Sequence, residues 1–153
     1  MFILAFFSFL RCSEFTASSP HFDPCSHACI SDLSLFSDNT VVLHLKKTKT
    51  NQSGHPTAVF YFKNQSPLDP FIILSNYIPY RKSHGRPLSH PLFISESSQI
   101  TTRSWFYHHL RQILSLSGLS PTHYSGRSFR LRLQHPVTEY LSTSFKLWAA
   151  GPR

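Results

Sequence analysis

Between residues 30 and 62, apolar and β-branched runs alternate with turn signals, and this pattern limits the possible folds more than any other part of the chain. Ile30, Leu33 and Leu35 fall among polar residues up to Phe36, and Ser37-Asp38-Asn39 marks a turn. Val41 to Leu45 is a second apolar run, continued by Lys46-Lys47-Thr48-Lys49-Thr50. Asn51-Gln52-Ser53-Gly54-His55-Pro56 is a second turn signal, followed by a third run from Thr57 to Phe62. β-Branched and aromatic residues suit a pleated, half-buried surface, while Gly, Pro, Asn and Asp supply the reversals. Three such runs predict a three-stranded antiparallel meander whose second hairpin is rich in lysine.

Helical patterns flank the meander. Residues 1–17 predict one helix ending near Ser18-Ser19-Pro20. Ser66-Pro67-Leu68-Asp69 reads as a helix start, with Pro67 in the first turn and Phe71, Leu74 and Ile78 falling on one face. Residues 81–91 hold Gly85, Pro87 and Pro91 and predict a loop, with a short extended piece from Pro91 to Ile94. Thr101-Thr102-Arg103 caps a further helix running to about Ser117, and Gly118 ends it. Its stripe of Trp105, Phe106, Leu110, Ile113 and Leu114 reads as core. Strands grouped together with helices around them predict an α+β domain, mostly helical, with one three-stranded antiparallel sheet.

A chain of 153 residues is one domain or most of one, and 41% hydrophobic residues with 14 Phe suffice for a core. The net charge is +8, which favours a polyanionic partner, usually nucleic acid. Three cysteines leave one unpaired in any disulfide scheme, so a reducing compartment is the natural setting. Cys25-Ser26-His27-Ala28-Cys29 looks like half a metal site, but no second Cys/His pair follows at suitable spacing. No metal or cofactor is therefore expected. Met1 to Leu10 is apolar but lacks a basic leader and a small-residue cleavage site, and it is too short to span a bilayer. It reads as a buried helix that starts inside a domain, and neither a membrane nor a small-molecule substrate is expected as partner.

The chemistry lies in three basic positions. Thr122 to Leu131 places Arg127 and Arg130 three residues apart after Ser125-Gly126, so on one helical turn both can face a single anion. A guanidinium matches phosphate with a planar fork of donors and keeps its charge. Arg11 stands in Phe9-Leu10-Arg11-Cys12-Ser13-Glu14-Phe15, and Lys49 rides the second hairpin. This order resembles the catalytic domain of tyrosine recombinases of the phage-integrase type, and within them the recombinases of DIRS-like retrotransposons. Leu10-Arg11-Cys12-Ser13-Glu14 matches the family's Leu-Arg-x-x-Glu, and Lys49 in Lys47-Thr48-Lys49-Thr50 matches its hairpin lysine. Arg127-Ser128-Phe129-Arg130 matches its His-x-x-Arg, with Arg127 replacing His.

The resemblance covers residues 1 to about 130 and implies a partner, DNA, and a reaction in which a tyrosine attacks a phosphodiester. It implies that Arg11 and Arg130 clamp the scissile phosphate, where cations stabilise the charge that develops. Lys49 would protonate the leaving 5′ oxygen, and the position of Arg127 would be the general acid/base. Arginine does not deprotonate in proteins, so Arg127 can hold phosphate but cannot shuttle a proton. By family role the implied location is the nucleus, and recombinase-type self-association would be doubtful in so short a chain.

Residues 131–153 depart from the family pattern. Pro136 interrupts any helix there, and Tyr140 lies too close to Arg130 to be the family nucleophile. Lys146 to Pro152 can be written in codons that, read from the third base, encode Ala-Leu-Gly-Arg-Trp-Ser, a family motif otherwise missing. The same offset over Leu133-Gln134-His135 yields Ala-Ala-Thr. These agreements predict a reading-frame shift near Arg130–Leu131, with residues 1–130 a partial catalytic domain and 131–153 an unrelated, poorly ordered tail. A coding DNA whose alternate frame lacks Gly-Arg-Trp sinks that idea. The expected product is inactive in strand transfer. A residual nonspecific DNA-binding module and a nonfunctional transposon-derived product are the alternatives.

Overall fold

A computed structural model describes residues 1–8, 10–48, 56–65, 68–83, 86–116 and 118–122. The meander is present as expected. β1 (Leu33–Ser37), β2 (Thr40–Leu45) and β3 (Thr57–Phe62) form one antiparallel sheet in the order β1-β2-β3. Leu33 pairs with Leu43, and Val41 pairs with Tyr61. With alternate residues facing alternate sides, Val41, Leu43, Leu45 and Tyr61 all enter the core. The domain is α+β, with the sheet flanked by helices α1 (Phe2–Phe7), α2 (Cys12–Phe15), α3 (Pro70–Ser83) and α4 (Arg103–Leu116).

Several boundaries differ from the sequence reading. The expected helix over residues 1–17 is two short helices. The Ser8 N–H bonds back to Leu4 O and ends α1, while Arg11 is extended at φ −75° and ψ 142°. α2 then starts because the Glu14 carboxylate accepts the Arg11 N–H at 2.8 Å and the Glu14 N–H donates to the Arg11 carbonyl at 2.8 Å. An acidic side chain at the third helical position thus satisfies a donor that the first turn leaves unpaired. Ile30 opens a single 3-10 turn through Asp32 rather than a strand. The Asp32 carboxylate accepts the Cys29 N–H at 2.7 Å and holds that turn. The register shifts between Leu35 and Ser37, a bulge that leaves both Leu35 and Phe36 exposed. β2 stops at Leu45 rather than running on through the lysines, because Lys46 turns away to residues 24–32.

α3 begins at Pro70 instead of near Pro67, which lies outside the described residues. Asp69 Oδ1 accepts the Phe71 N–H at 2.8 Å and Oδ2 accepts the Asn64 N–H at 2.9 Å, so Asp69 is the cap and Pro70 the first helical residue. Phe71, Leu74 and Ile78 are buried on one face, as the spacing predicts. The helix continues to Ser83, past the loop start expected at 81, because Arg81 is buried and anchored on the chain at His90 and Pro91. α4 follows the sequence reading closely. Thr102 Oγ1 accepts the Trp105 N–H at 3.2 Å. At the other end Gly118 adopts φ +70°, its N–H donates to Ser115 O and the Leu119 N–H donates to Leu114 O. This is a Schellman closure, which favours glycine because a Cβ crowds the left-handed backbone. Phe106, Leu110, Ile113 and Leu114 are buried, and Trp105 packs at the core's edge.

Candidate nucleic-acid interface

Arg11 is the one proposed site residue within the described part of the chain. Lys49, Arg127 and Arg130 lie outside the described residues, as do His123, Tyr124, Tyr140 and the boundary at 130/131. The local fold around Arg11 is closely determined. Leu10 is buried and Cys12 is partly buried beside it, with Cys12 Sγ 3.2 Å from Tyr107 Oη on α4. Phe2 stacks on Phe106 at 4.7 Å between ring centroids, and Phe15 meets the same ring edge-on at 5.2 Å. The chain after α2 is tied to the start of α4 by Ala17 N–H to Thr101 O at 3.1 Å and Arg103 N–H to Ala17 O at 2.9 Å. Arg11 therefore projects, half-buried, from a segment clamped on both sides to α4. Its Glu14 neighbour bonds the Arg11 backbone, and among the described residues the guanidinium has no carboxylate partner.

The same use of carboxylates recurs through the domain. Asp23 Oδ1 accepts the Cys25 N–H, Asp32 the Cys29 N–H, and Asp69 those of Asn64 and Phe71. The Ser26 hydroxyl and the Cys25 N–H hold the Asp23 carboxyl below its usual range. Four of the seven acidic residues in the chain are thus occupied with main-chain amides at turns and helix starts. Lys46–Asp32, at 2.8 Å, is the one pair of a lysine or arginine with a carboxylate among the described residues. Arg103 and Arg111 are exposed on α4, a helix without an acidic residue, and Lys47, Lys63, Lys82 and Arg86 are exposed elsewhere. Among the described residues these exposed cations are therefore left to solvent and counterions rather than to carboxylates.

At the root of the lysine-rich hairpin, two lysines are engaged. Lys46 Nζ donates to Pro24 O at 2.6 Å and His27 O at 3.1 Å, and Lys47 Nζ lies 3.0 Å from Ser26 Oγ. Burial pulls the Lys46 ammonium down, but hydrogen bonds to Asp32 and Cys29 outweigh it and leave the group above its ordinary 10.5. The half metal site of the sequence is occupied otherwise. His27 Nδ1 accepts the Asp23 N–H at 2.9 Å, and Cys29 Sγ faces an ammonium. Among the described residues no group of three or more His, Cys, Asp or Glu is placed to hold a metal. No helix among them is long and apolar enough to cross a membrane.

Two features escaped the sequence reading. Arg81 is buried, donating from Nη2 to Pro91 O at 2.7 Å and lying 3.2 Å from His90 Nδ1. Lys46, Cys29 and Asp32 form a cluster that the lysine run at 46–49 conceals. No local signal marks either, since both depend on segments brought together from distant positions. Comparison with protein-family models, with curated proteins and with solved structures yields no match.

Proposed function

We propose that this chain is a DNA-binding domain of tyrosine-recombinase descent that holds phosphate without completing strand transfer. The observation that carries the reading is the disposition of charge. Carboxylates cap the backbone, while the exposed arginines and lysines among the described residues lack acidic partners there, so a polyanion supplies the missing countercharge. The order of elements supports it, with Arg11 at the start of α2, a three-stranded meander with Lys49 in the sequence between β2 and β3, and two helices before the Arg127–Arg130 segment. The Leu-Arg-x-x-Glu spacing also acquires a physical reason. Glu14 caps Arg11 through its main chain, which orients the arginine without neutralising its side chain at close range.

In this reading Arg11 and Arg130 grip one phosphate and Lys49 approaches the 5′ oxygen. Arg127 adds charge where a proton shuttle would be needed. General acid–base groups supply roughly a hundred- to ten-thousand-fold in rate, so turnover is crippled while binding persists. The DNA partner places the chain in the nucleus.

The test is binding of duplex DNA over a salt series, together with trapping on a nicked suicide substrate. Binding should weaken steeply with salt, and Arg11→Ala should reduce the slope of log K against log salt by about 1. No covalent adduct should form. A folded chain that fails to bind DNA at low salt defeats the proposal, and a covalent adduct defeats its inactive half.

A further inference from the structure

The end of β2 holds a reactive pair that phosphate binding does not use. Lys46 Nζ lies 2.9 Å from Cys29 Sγ and 2.8 Å from Asp32 Oδ2. The same two carbonyls that accept from Lys46, those of Pro24 and His27, also lie 3.6 and 3.5 Å from Cys29 Sγ. Sulfur and nitrogen are thus confined by one shared set of groups. Cys29 is fixed further by its N–H bond to Asp32 and by its bridge to Pro91. The Cys29 residue is 1% exposed, whereas the Lys46 side chain is 22% exposed, so the lysine is the member of the pair that meets solvent.

The geometry points to Cys29 and Lys46 as an oxidative cross-linking site, closed by hydrogen peroxide through a sulfur–nitrogen bond. Peroxide first transfers one oxygen to the Cys29 sulfur, giving a sulfenic acid and one water. Asp32, in contact with Nζ, takes a proton from the Lys46 ammonium. The free amine attacks sulfur, the N–S bond forms, the S–O bond breaks, and the departing oxygen leaves as a second water with a proton from nitrogen. In sum, one thiol, one amine and one hydrogen peroxide give a sulfenamide and two waters, with sulfur oxidised and peroxide reduced. The nitrogen already stands at near-attack distance, which removes most of the entropic cost of closure. Cys12 is held against Tyr107 Oη on another element, and Cys25 is exposed, whereas Lys46 Nζ is already in contact with Cys29 Sγ. The bond would lock the root of the lysine-rich hairpin to the loop at residues 24–29.

The whole chain is treated with hydrogen peroxide, digested with trypsin and read by mass spectrometry. No lysine or arginine lies between Arg11 and Lys46, so the expected product is the single tryptic peptide that holds both Cys29 and Lys46, lighter by two hydrogen atoms, uncleaved after Lys46, closed into a Cys29–Lys46 loop on fragmentation and opened by dithiothreitol. Cys25→Ser should retain the link and Lys46→Arg should lose it, with far-UV circular dichroism confirming that both variants fold. The wild-type peptide map is decisive even if a variant does not fold. A disulfide from Cys29 to Cys25 or Cys12 overturns the proposal. So does Cys29 accumulating oxygen with Lys46 free, or Cys29 remaining unreacted. None of these readouts depends on DNA binding.

Discussion

At the start of α2, Arg11 is half-buried and held through its backbone, by the Glu14 carboxylate on its N–H. At the end of α3, Arg81 is buried and held through its side chain, by Pro91 O and His90. Neither has a carboxylate partner among the described residues. The difference separates two uses of an unpaired cation. A buried guanidinium is costly unless its donors are satisfied, and Arg81 offsets part of that cost through Nη2, which fastens α3 to His90 and Pro91, while its Nε is buried without a partner among the described residues. Its place in the last turn of α3 is also favourable, since the helix carbonyls there carry partial negative charge. Among the described residues the Arg11 side chain makes no comparable bond, which in the proposed function leaves it to an anion.

That contrast can be broken by experiment. Arg81→Ala removes both bonds and leaves the Pro91 carbonyl short of a donor, at a cost of about 2 to 3 kcal/mol in denaturant unfolding. A cost no larger than that of Arg11→Ala would erase the distinction. Glu14→Ala should cost about 1 kcal/mol through the lost cap, and should weaken DNA binding although Glu14 carries the wrong charge to touch phosphate. Stronger binding in that variant would instead mean that Glu14 acts by electrostatic repulsion. Arg11→Ala should change stability by no more than about 0.5 kcal/mol, and a thermal melt checks it.

The Arg81 side of the comparison also has a pH signature. Burial, followed by repulsion from Arg81 and Arg86, holds His90 below its usual 6.5. The unfolded chain therefore takes up this proton more readily than the folded one. The His90 contribution is present above pH 6.5 and is lost as pH falls through the lowered value. His90→Asn should flatten the acid side of the stability profile, whereas an unchanged profile would show that the Arg81–His90 contact does not govern it.

The two faces of the sheet carry the same lesson with smaller stakes. Val41 and Leu43 on one face are wholly buried, whereas Phe36, Phe60 and Phe62 remain well exposed. Phe60 and Phe62 run side by side along β3, 6.4 Å between centroids. Alternation reveals which residues share a face, but not which face a helix covers. In α4 the stripe, the Thr102 cap and the Gly118 stop are all local signals, and all three operate in the fold. In the first seventeen residues the apolar run looked continuous, because nothing in its periodicity marks the break that the Glu14 cap creates. Of the candidate site, Arg11 was visible through its motif. Which lysines are engaged at the hairpin root was not, because their partners lie about twenty positions earlier in the chain.

By itself the sequence determined the α+β class, the strand order, the α4 boundaries and the basic charge. These follow from periodicity, turn residues and composition, which act over a few neighbouring positions. Only the tertiary structure decided that Arg81 is a staple, that Lys46 faces Cys29, and that the carboxylates serve the backbone instead of the arginines. Those outcomes depend on how the cost of burying a charge is met, and the groups that meet it come from separate parts of the chain.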